Sequence, residues 1–129
     1  VKTAKRDGKP LKHDPVIRQK IAPLTTELYV ARVLGVRFVD AALNSTKTPT
    51  VEASHYKLYA TELSRRIADA TMDIVGPGAQ LALRTEDAPL KGRSESCYTY
   101  TVIDTIGGGS SEVQRNIIAT RGLGLPRNF

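Results

Sequence analysis

An all-α fold is predicted by two long stripes of apolar residues at helical spacing and by the short polar turn that joins them. The first stripe, Ile17, Ile21, Leu24, Leu28, Ala31, Gly35, Phe38 and Ala42, advances in steps of four and three through residues 14 to 43. Such a stripe covers one face of a helix and requires a partner surface. The second stripe, Tyr56, Ala60, Leu63, Ile67, Ala70 and Ile74, repeats the spacing after the loop Asn44 to Thr48 and Pro49. Two helices of this length joined by so short a connection lie antiparallel, and each retains apolar surface to be covered.

The elements follow in order. Asp14 before Pro15 reads as an N-cap and a first helical residue, because proline lacks only an amide hydrogen that the first turn does not use. Pro23 sits inside the first stripe, where it removes a hydrogen bond and is expected to kink or interrupt the helix near Lys20 to Ala22. Helix two is expected to stop at Gly76, since Gly76-Pro77-Gly78 offers a left-handed cap followed by a residue that cannot continue the helix. Residues 79 to 96 are mixed, with Thr85 to Pro89 and Lys91 to Ser94 marking loop. Cys97 to Ile106 (CYTYTVIDTI) alternates and is rich in β-branched and aromatic residues, so propensity favours a strand. A single strand in a helical chain would leave backbone groups unpaired, which argues the other way. Glu112 to Thr120 reads as a short helix with Val113, Ile117 and Ile118 on one side.

The 129 residues suffice for one domain with a core. No run of about 18 apolar residues exists to span a membrane, and the basic start VKTAKRDGKPLK is not followed by the apolar stretch of a signal peptide. The expected compartment is the cytoplasm. The first residues read as the end of a helix, so the chain is expected to be a piece of a longer polypeptide. One cysteine, Cys97, excludes an internal disulfide, and His13 and His55 are too scattered for a ligand set, so no metal is expected. Nineteen Lys and Arg against 13 Asp and Glu give a formal charge of +6, which raises the question of a polyanionic partner. Apart from Lys2, Lys5, Arg6, Lys9 and Lys12 the basic residues are dispersed, and no zinc-finger, helix-turn-helix or RNP pattern is present, so no nucleic-acid binding is expected.

The stretch with most chemical content is Gly107-Gly108-Gly109-Ser110-Ser111, directly before the last helical run. Free amides and the positive end of a helix dipole make such a start a seat for an anion, which glycines allow to come close. The simpler reading makes Ser110 or Ser111 an N-cap and Glu112 a complement to the dipole, and the stretch lacks the lysine of a P-loop. Glu52 and His55, three residues apart, read as a surface pair, Cys97 as half-buried and structural, and Tyr56 and Tyr59 as packing.

GGGSSEVQRNIIATRGLGLPR, residues 107 to 127, resembles the C-terminal signature of acyl-CoA dehydrogenases, which typically reads Glu-Gly-Thr-Ser-Glu-Ile-Gln-Arg-Asn-Ile-Ile-Ala. RDGKPLKHDPVIRQKIA, Arg6 to Ala22, is similar to the family's "FGKPL" segment, and DIVGPGAQL, Asp73 to Leu81, stands where the family has "IFGGxGF". The resemblance covers nearly the whole chain, as the C-terminal helical third of a family member. It implies an up-and-down four-helix bundle over residues 1–129, a helix at Cys97 to Ile106, and N-terminal helical and middle β-domains outside this chain.

It further implies FAD as cofactor, an acyl-CoA substrate losing a proton and a hydride from its α and β carbons, and electron-transfer flavoprotein or a similar acceptor. Carried over by position, Ser110 approaches the flavin, Gly109 and Glu112 line the FAD site, Leu11 and Ile17 lie near the ring system, Arg6 stands near a pyrophosphate contact, and Gly76 meets the FAD of a neighbouring subunit. That last contact implies a homo- or hetero-oligomer, dimer or tetramer. The departures are specific. The catalytic glutamate of many members falls at Gly108, which cannot abstract a proton, so the base is expected upstream of Val1, where other members carry it. Asp7 replaces the phenylalanine that follows the family's arginine, and the stretch between Gly76 and Gly108 is several residues longer than usual. Three readings follow: an active dehydrogenase whose isolated C-terminal part is inert, a non-catalytic subunit of a mixed assembly, and a free-standing helical interaction module.

Overall fold

A computed structural model describes residues 5, 6 and 8 to 127, the side chain of Arg6 excepted. The chain enters through a small antiparallel ribbon of β1 (Lys5–Arg6) and β2 (Lys9–Pro10), then a 3-10 turn, Leu11–His13. Four α-helices follow among the described residues: α1 (Pro15–Asn44), α2 (Thr50–Val75), α3 (Arg93–Asp104) and α4 (Ser111–Ile117). Short 3-10 turns at Pro77–Gln80 and Pro89–Gly92 lead from α2 to α3, and a π-helical turn, Ile118–Gly122, ends the last helix. The ribbon is the only sheet among the described residues, and the fold is the all-α, up-and-down bundle expected.

Asp14 caps α1, its carboxylate accepting from the backbone N–H groups of Val16 at 2.9 Å and Ile17 at 3.2 Å, with Pro15 in the first turn. The helix then runs through Pro23 without interruption, so of the expected kink or interruption the second does not occur. Pro23 and Gln19 both face solvent, so water can satisfy the carbonyl that loses its partner. Two cross-helix ion pairs bracket the spot: Lys20 with Asp73 at 2.6 Å, and Glu27 with Arg66. Ile17 and Ala31 of the first stripe are buried, and Ile21, Leu24, Gly35 and Phe38 are half-buried; Leu28 and Ala42 are exposed. Gly35 permits the helices to approach, since a Cβ there would stand 3.1 Å from the Tyr56 ring, which stacks on Phe38 with centroids 6.3 Å apart.

α2 is the central helix and packs against each of the other three. It stops at Gly76 as expected, though the cap is not left-handed helical: Gly76 takes φ +81° with ψ −159° and donates its N–H to the Met72 carbonyl at 2.9 Å. α3 returns along α2, placing Tyr98 against Arg65, whose guanidinium lies 4.5 Å from the ring centroid and donates to the Tyr98 hydroxyl at 2.7 Å. The strand favoured by propensity at Cys97 to Ile106 is therefore overturned. No neighbouring strand exists among the described residues to pair with it, whereas a helix satisfies its backbone internally and packs along α2, with Thr101 buried.

α1 and α3 each pack on α2 rather than on one another. A broad apolar trough consequently stays open over α2, walled on the α1 side by Leu28, Tyr29, Val36, Val39 and Leu43 and floored by Leu63 and Ile67. Among the described residues no helix is long and apolar enough to cross a membrane.

Candidate functional site

The glycine-serine stretch forms a turn whose conformation the side chains around it dictate. Gly108 and Gly109 take φ +69° and +101°, in the region where side chains are strained. A Cβ on Gly109 would stand 2.8 Å from the carboxamide nitrogen of Gln114, while at Gly108 it would meet nothing within 4 Å. The positive φ is what favours glycine at both positions; a Cβ on Gly109 would in addition displace the end of the Gln114 side chain, and Gly108 faces open space.

The carbonyls of this turn are held from below. Gln114, 5% exposed, donates its Nε2 to the Gly108 carbonyl at 3.0 Å and to the Gly109 carbonyl at 3.3 Å. Lys57, on α2, donates its Nζ to the Gly109 carbonyl at 2.6 Å. One turn further on, Arg115 of α4 meets Glu62 of α2 at 2.5 Å. The backbone N–H groups of Gly108, Gly109 and Ser110 have no hydrogen-bond partner among the described residues.

Ser110 is the N-cap, its hydroxyl accepting from the Val113 N–H at 3.4 Å. The Ser110 hydroxyl, followed by the residue's own backbone N–H, holds the exposed Glu112 carboxyl below the ordinary carboxylate range; desolvation opposes this and Arg115 adds to it. The capping reading of the stretch therefore applies. The dipole reading weakens, because α4 has only seven α-helical residues and its own Glu112 already complements that end.

The residues singled out from the sequence fall into two groups. Gly108, Gly109, Ser110 and Glu112 lie level with Lys57, in the N-terminal half of α2. Gly76 closes the other end of α2, and the antiparallel ion pairs bring Ile17, Leu11 and the Arg6 backbone to that end. Lys57 and Gly76 are nineteen positions apart, or roughly 28 Å along the axis. The two groups therefore lie at opposite ends of α2. Leu11 and Ile17 are 8% and 5% exposed, so their side chains serve the interior of this chain. The Arg6 side chain lies outside the described residues. Nothing joins Glu52 to His55 among the described residues, Cys97 is exposed rather than half-buried, and no three His, Cys, Asp or Glu side chains gather there.

Lys57 and Gln114 were not anticipated from the sequence. Gln114 stands four residues after the cap, where its side chain can fold back on the turn, and that spacing is a usable signal. Lys57 is 52 residues from its acceptor and carries no local signal at all.

Comparison with known proteins gives the same picture throughout. Residues 1–123 match the family model described as "Acyl-CoA dehydrogenase, C-terminal domain". Acyl-CoA dehydrogenase IpdE1 of Mycobacterium tuberculosis (strain ATCC 25618 / H37Rv) is 35% identical over 119 residues, which are 88% of this chain and 28% of that protein. Acyl-CoA dehydrogenase FadE26 of the same organism is 41% identical over 76 residues, 59% of this chain and 19% of the relative. The ChsE4-ChsE5 complex from Mycobacterium tuberculosis superposes with a TM-score of 0.85 at 29% identity, over 99% of this chain and 32% of that one. The Tcur3481-Tcur3483 steroid ACAD gives 0.82 at 29% identity, over 90% and 30%. The chain spans less than a third of the length of these relatives. With the helical order, the capped glycine turn and the match over residues 1–123 all in agreement, the chain belongs to the acyl-CoA dehydrogenase family and corresponds to its C-terminal domain.

Proposed function

We propose that these residues form the C-terminal part of an FAD-dependent dehydrogenase acting on an acyl-CoA thioester, and that they work within a longer polypeptide. The observation that carries this reading is the turn at Gly107 to Ser110. Three consecutive residues without side chains and three unpartnered amides make an edge that fits a planar, electron-rich group bearing carbonyl oxygens, as the flavin and the thioester both are. When bound, FAD takes up the hydride that leaves the β carbon of the acyl chain.

The chain's own residues contribute positioning. Gly108 and Gly109 admit the ligand against the backbone, Ser110 offers a hydroxyl beside it, and Glu112 lines the same edge. Gly108 has no group to remove the α proton, so the base comes from upstream of Val1 or from a partner subunit. The other group, Arg6, Leu11, Ile17 and Gly76, serves the FAD of a neighbouring subunit, a division supported by the length of α2 between the two groups. Leu11 and Ile17 act there as a packed floor. The oligomer is a dimer or tetramer, the compartment is the cytoplasm, and electron-transfer flavoprotein or a similar acceptor reoxidises the flavin.

The test is to express the complete reading frame that contains these residues and titrate the purified protein with a panel of acyl-CoAs. Bleaching of flavin absorbance is expected; a protein that purifies without flavin, with or without co-expressed partners, overturns the reading. The 129 residues alone are expected to retain no FAD, since the resemblance assigns the cover of the flavin's other face to the middle β-domain.

A second reading, a non-catalytic subunit in a mixed dehydrogenase, is favoured by Gly108 and by relatives described as two-protein complexes. It requires that the complete chain turn over acyl-CoA only with a different partner subunit. Turnover by the complete chain on its own removes it.

A further inference from the structure

We propose that Lys57 is a positioning residue for the glycine turn: with Gln114 it fixes the Gly108 and Gly109 carbonyls against α2 and thereby aims the amides of Gly109 and Ser110 at the ligand. The proposal rests on the function proposed above. Its geometry is as follows. A trans peptide unit holds its C=O and the N–H of the next residue on opposite sides. With the Gly108 carbonyl bound by Gln114, the Gly109 N–H must point away from Gln114. With the Gly109 carbonyl bound by Lys57 and Gln114, the Ser110 N–H must point away from α2. Both amides are without a partner among the described residues, so both are available to a carbonyl oxygen on a flavin or a thioester.

Glycines make such a fixture necessary. Residues 107 to 109 have no side chains to pack, and free glycine backbone samples both signs of φ, so without an outside constraint the two peptide units could rotate and withdraw their amides. Gln114 alone divides one carboxamide nitrogen between two acceptors, at 3.0 and 3.3 Å, whereas Lys57 makes the short, charge-assisted bond at 2.6 Å. The half-buried ammonium also polarises the peptide it binds, which strengthens the Ser110 N–H as a donor. Lys57 has no carboxylate partner among the described residues, so its charge is directed at this carbonyl. The following rung, Glu62 with Arg115, fixes α4 beside α2 and keeps Gln114 in register.

The experiment uses the complete chain, with any obligate partner, as purified wild type and as the variants Lys57→Met and Lys57→Arg. Amide hydrogen exchange in peptides covering residues 107 to 112 is read alongside flavin content, the visible flavin spectrum, kcat and KM. Lys57→Met is expected to accelerate exchange in that segment at least fivefold and to lower kcat about tenfold, with KM for acyl-CoA within about twofold and flavin content unchanged. Lys57→Arg restores both quantities to within about threefold of wild type, because a guanidinium can make the same donation. Unchanged exchange in Lys57→Met overturns the proposal. So does a loss of kcat matched by equal losses of flavin content and melting temperature that arginine does not rescue, the pattern of a merely structural lysine. A wild type that holds no flavin sinks the proposed function instead, and the exchange measurements then still decide whether Lys57 holds the turn.

Discussion

Gly92 lies directly against the backbone of Ala82, so close that a single methyl group on Gly92 would overlap the Ala82 carbonyl. Gly92 also takes φ +73° as the residue that opens α3. The turn between α2 and α3 is thus fixed by one position that tolerates no Cβ. Gly92→Ala meets two independent costs, left-handed strain and a clash with backbone that cannot rotate aside. Together they should destabilise the fold by roughly 2–5 kcal/mol. Denaturant unfolding checks this; a change below about 1 kcal/mol would mean that the turn is re-formed with another geometry.

Ser110 and Glu112 form a second coupled pair, with a pH signature. Because the folded-state pKa of Glu112 is depressed, its contribution is present above the ordinary carboxylate range and is lost as pH falls through the folded value. Ser110→Ala removes the largest cause of that depression and the helix cap together. The Glu112 carboxyl should titrate closer to its ordinary value, followed by its side-chain carbon resonance between pH 2 and 6. The lost cap should cost about 0.5–1 kcal/mol at neutral pH, at the lower end because the cap bond is long at 3.4 Å. An unaltered titration in the variant would contradict the assignment.

The same contrast between local and remote causes explains what the sequence reveals. Asp14-Pro15 and Gly76 act on amides within one helical turn, so the ends of α1 and α2 can be read directly. Cys97 to Ile106 misleads because β-propensity records a preference for a pleated neighbour, and the chain offers α2 instead. Pro23 does not interrupt α1 because the cost of its lost hydrogen bond depends on whether Gln19 faces water, which no local pattern states. At the site, the resemblance identifies the glycine turn, yet Lys57 reaches it only through the fold. The separation of Gly76 from Ser110 by most of α2 is likewise a product of helix length, invisible in a tabulation of matching positions.

The cross-helix ion pairs and the core should differ sharply in weight. Lys20 with Asp73 and Glu27 with Arg66 are substantially exposed, so water and salt screen them. Lys20→Met and Glu27→Gln should each change stability by less than about 1 kcal/mol. Leu63, 2% exposed on the central helix, should cost about 2–5 kcal/mol when cut to alanine, because the cavity opens where α1 and α2 meet. Urea unfolding of the three variants tests the order. If either ion-pair variant loses more than Leu63→Ala, the helices are held chiefly by charge and the packing account fails.

The apolar surface of α1 supplies the last prediction. Val36 is 62% exposed and Leu43 78%, and with Tyr29 and Val39 they wall the open trough over α2. A helix with apolar residues on more than one side is a helix that expects cover on more than one side. Monomers rarely keep so large a contiguous patch in water. The 129-residue chain by itself should therefore self-associate at micromolar concentration and enhance the fluorescence of an apolar dye. Val36→Lys combined with Leu43→Lys should reduce both effects with less than about 0.5 kcal/mol change per site in stability, since neither side chain is packed. Sedimentation analysis of the two proteins decides the matter: a wild-type chain that stays monomeric and leaves the dye dark would show that the trough closes on itself.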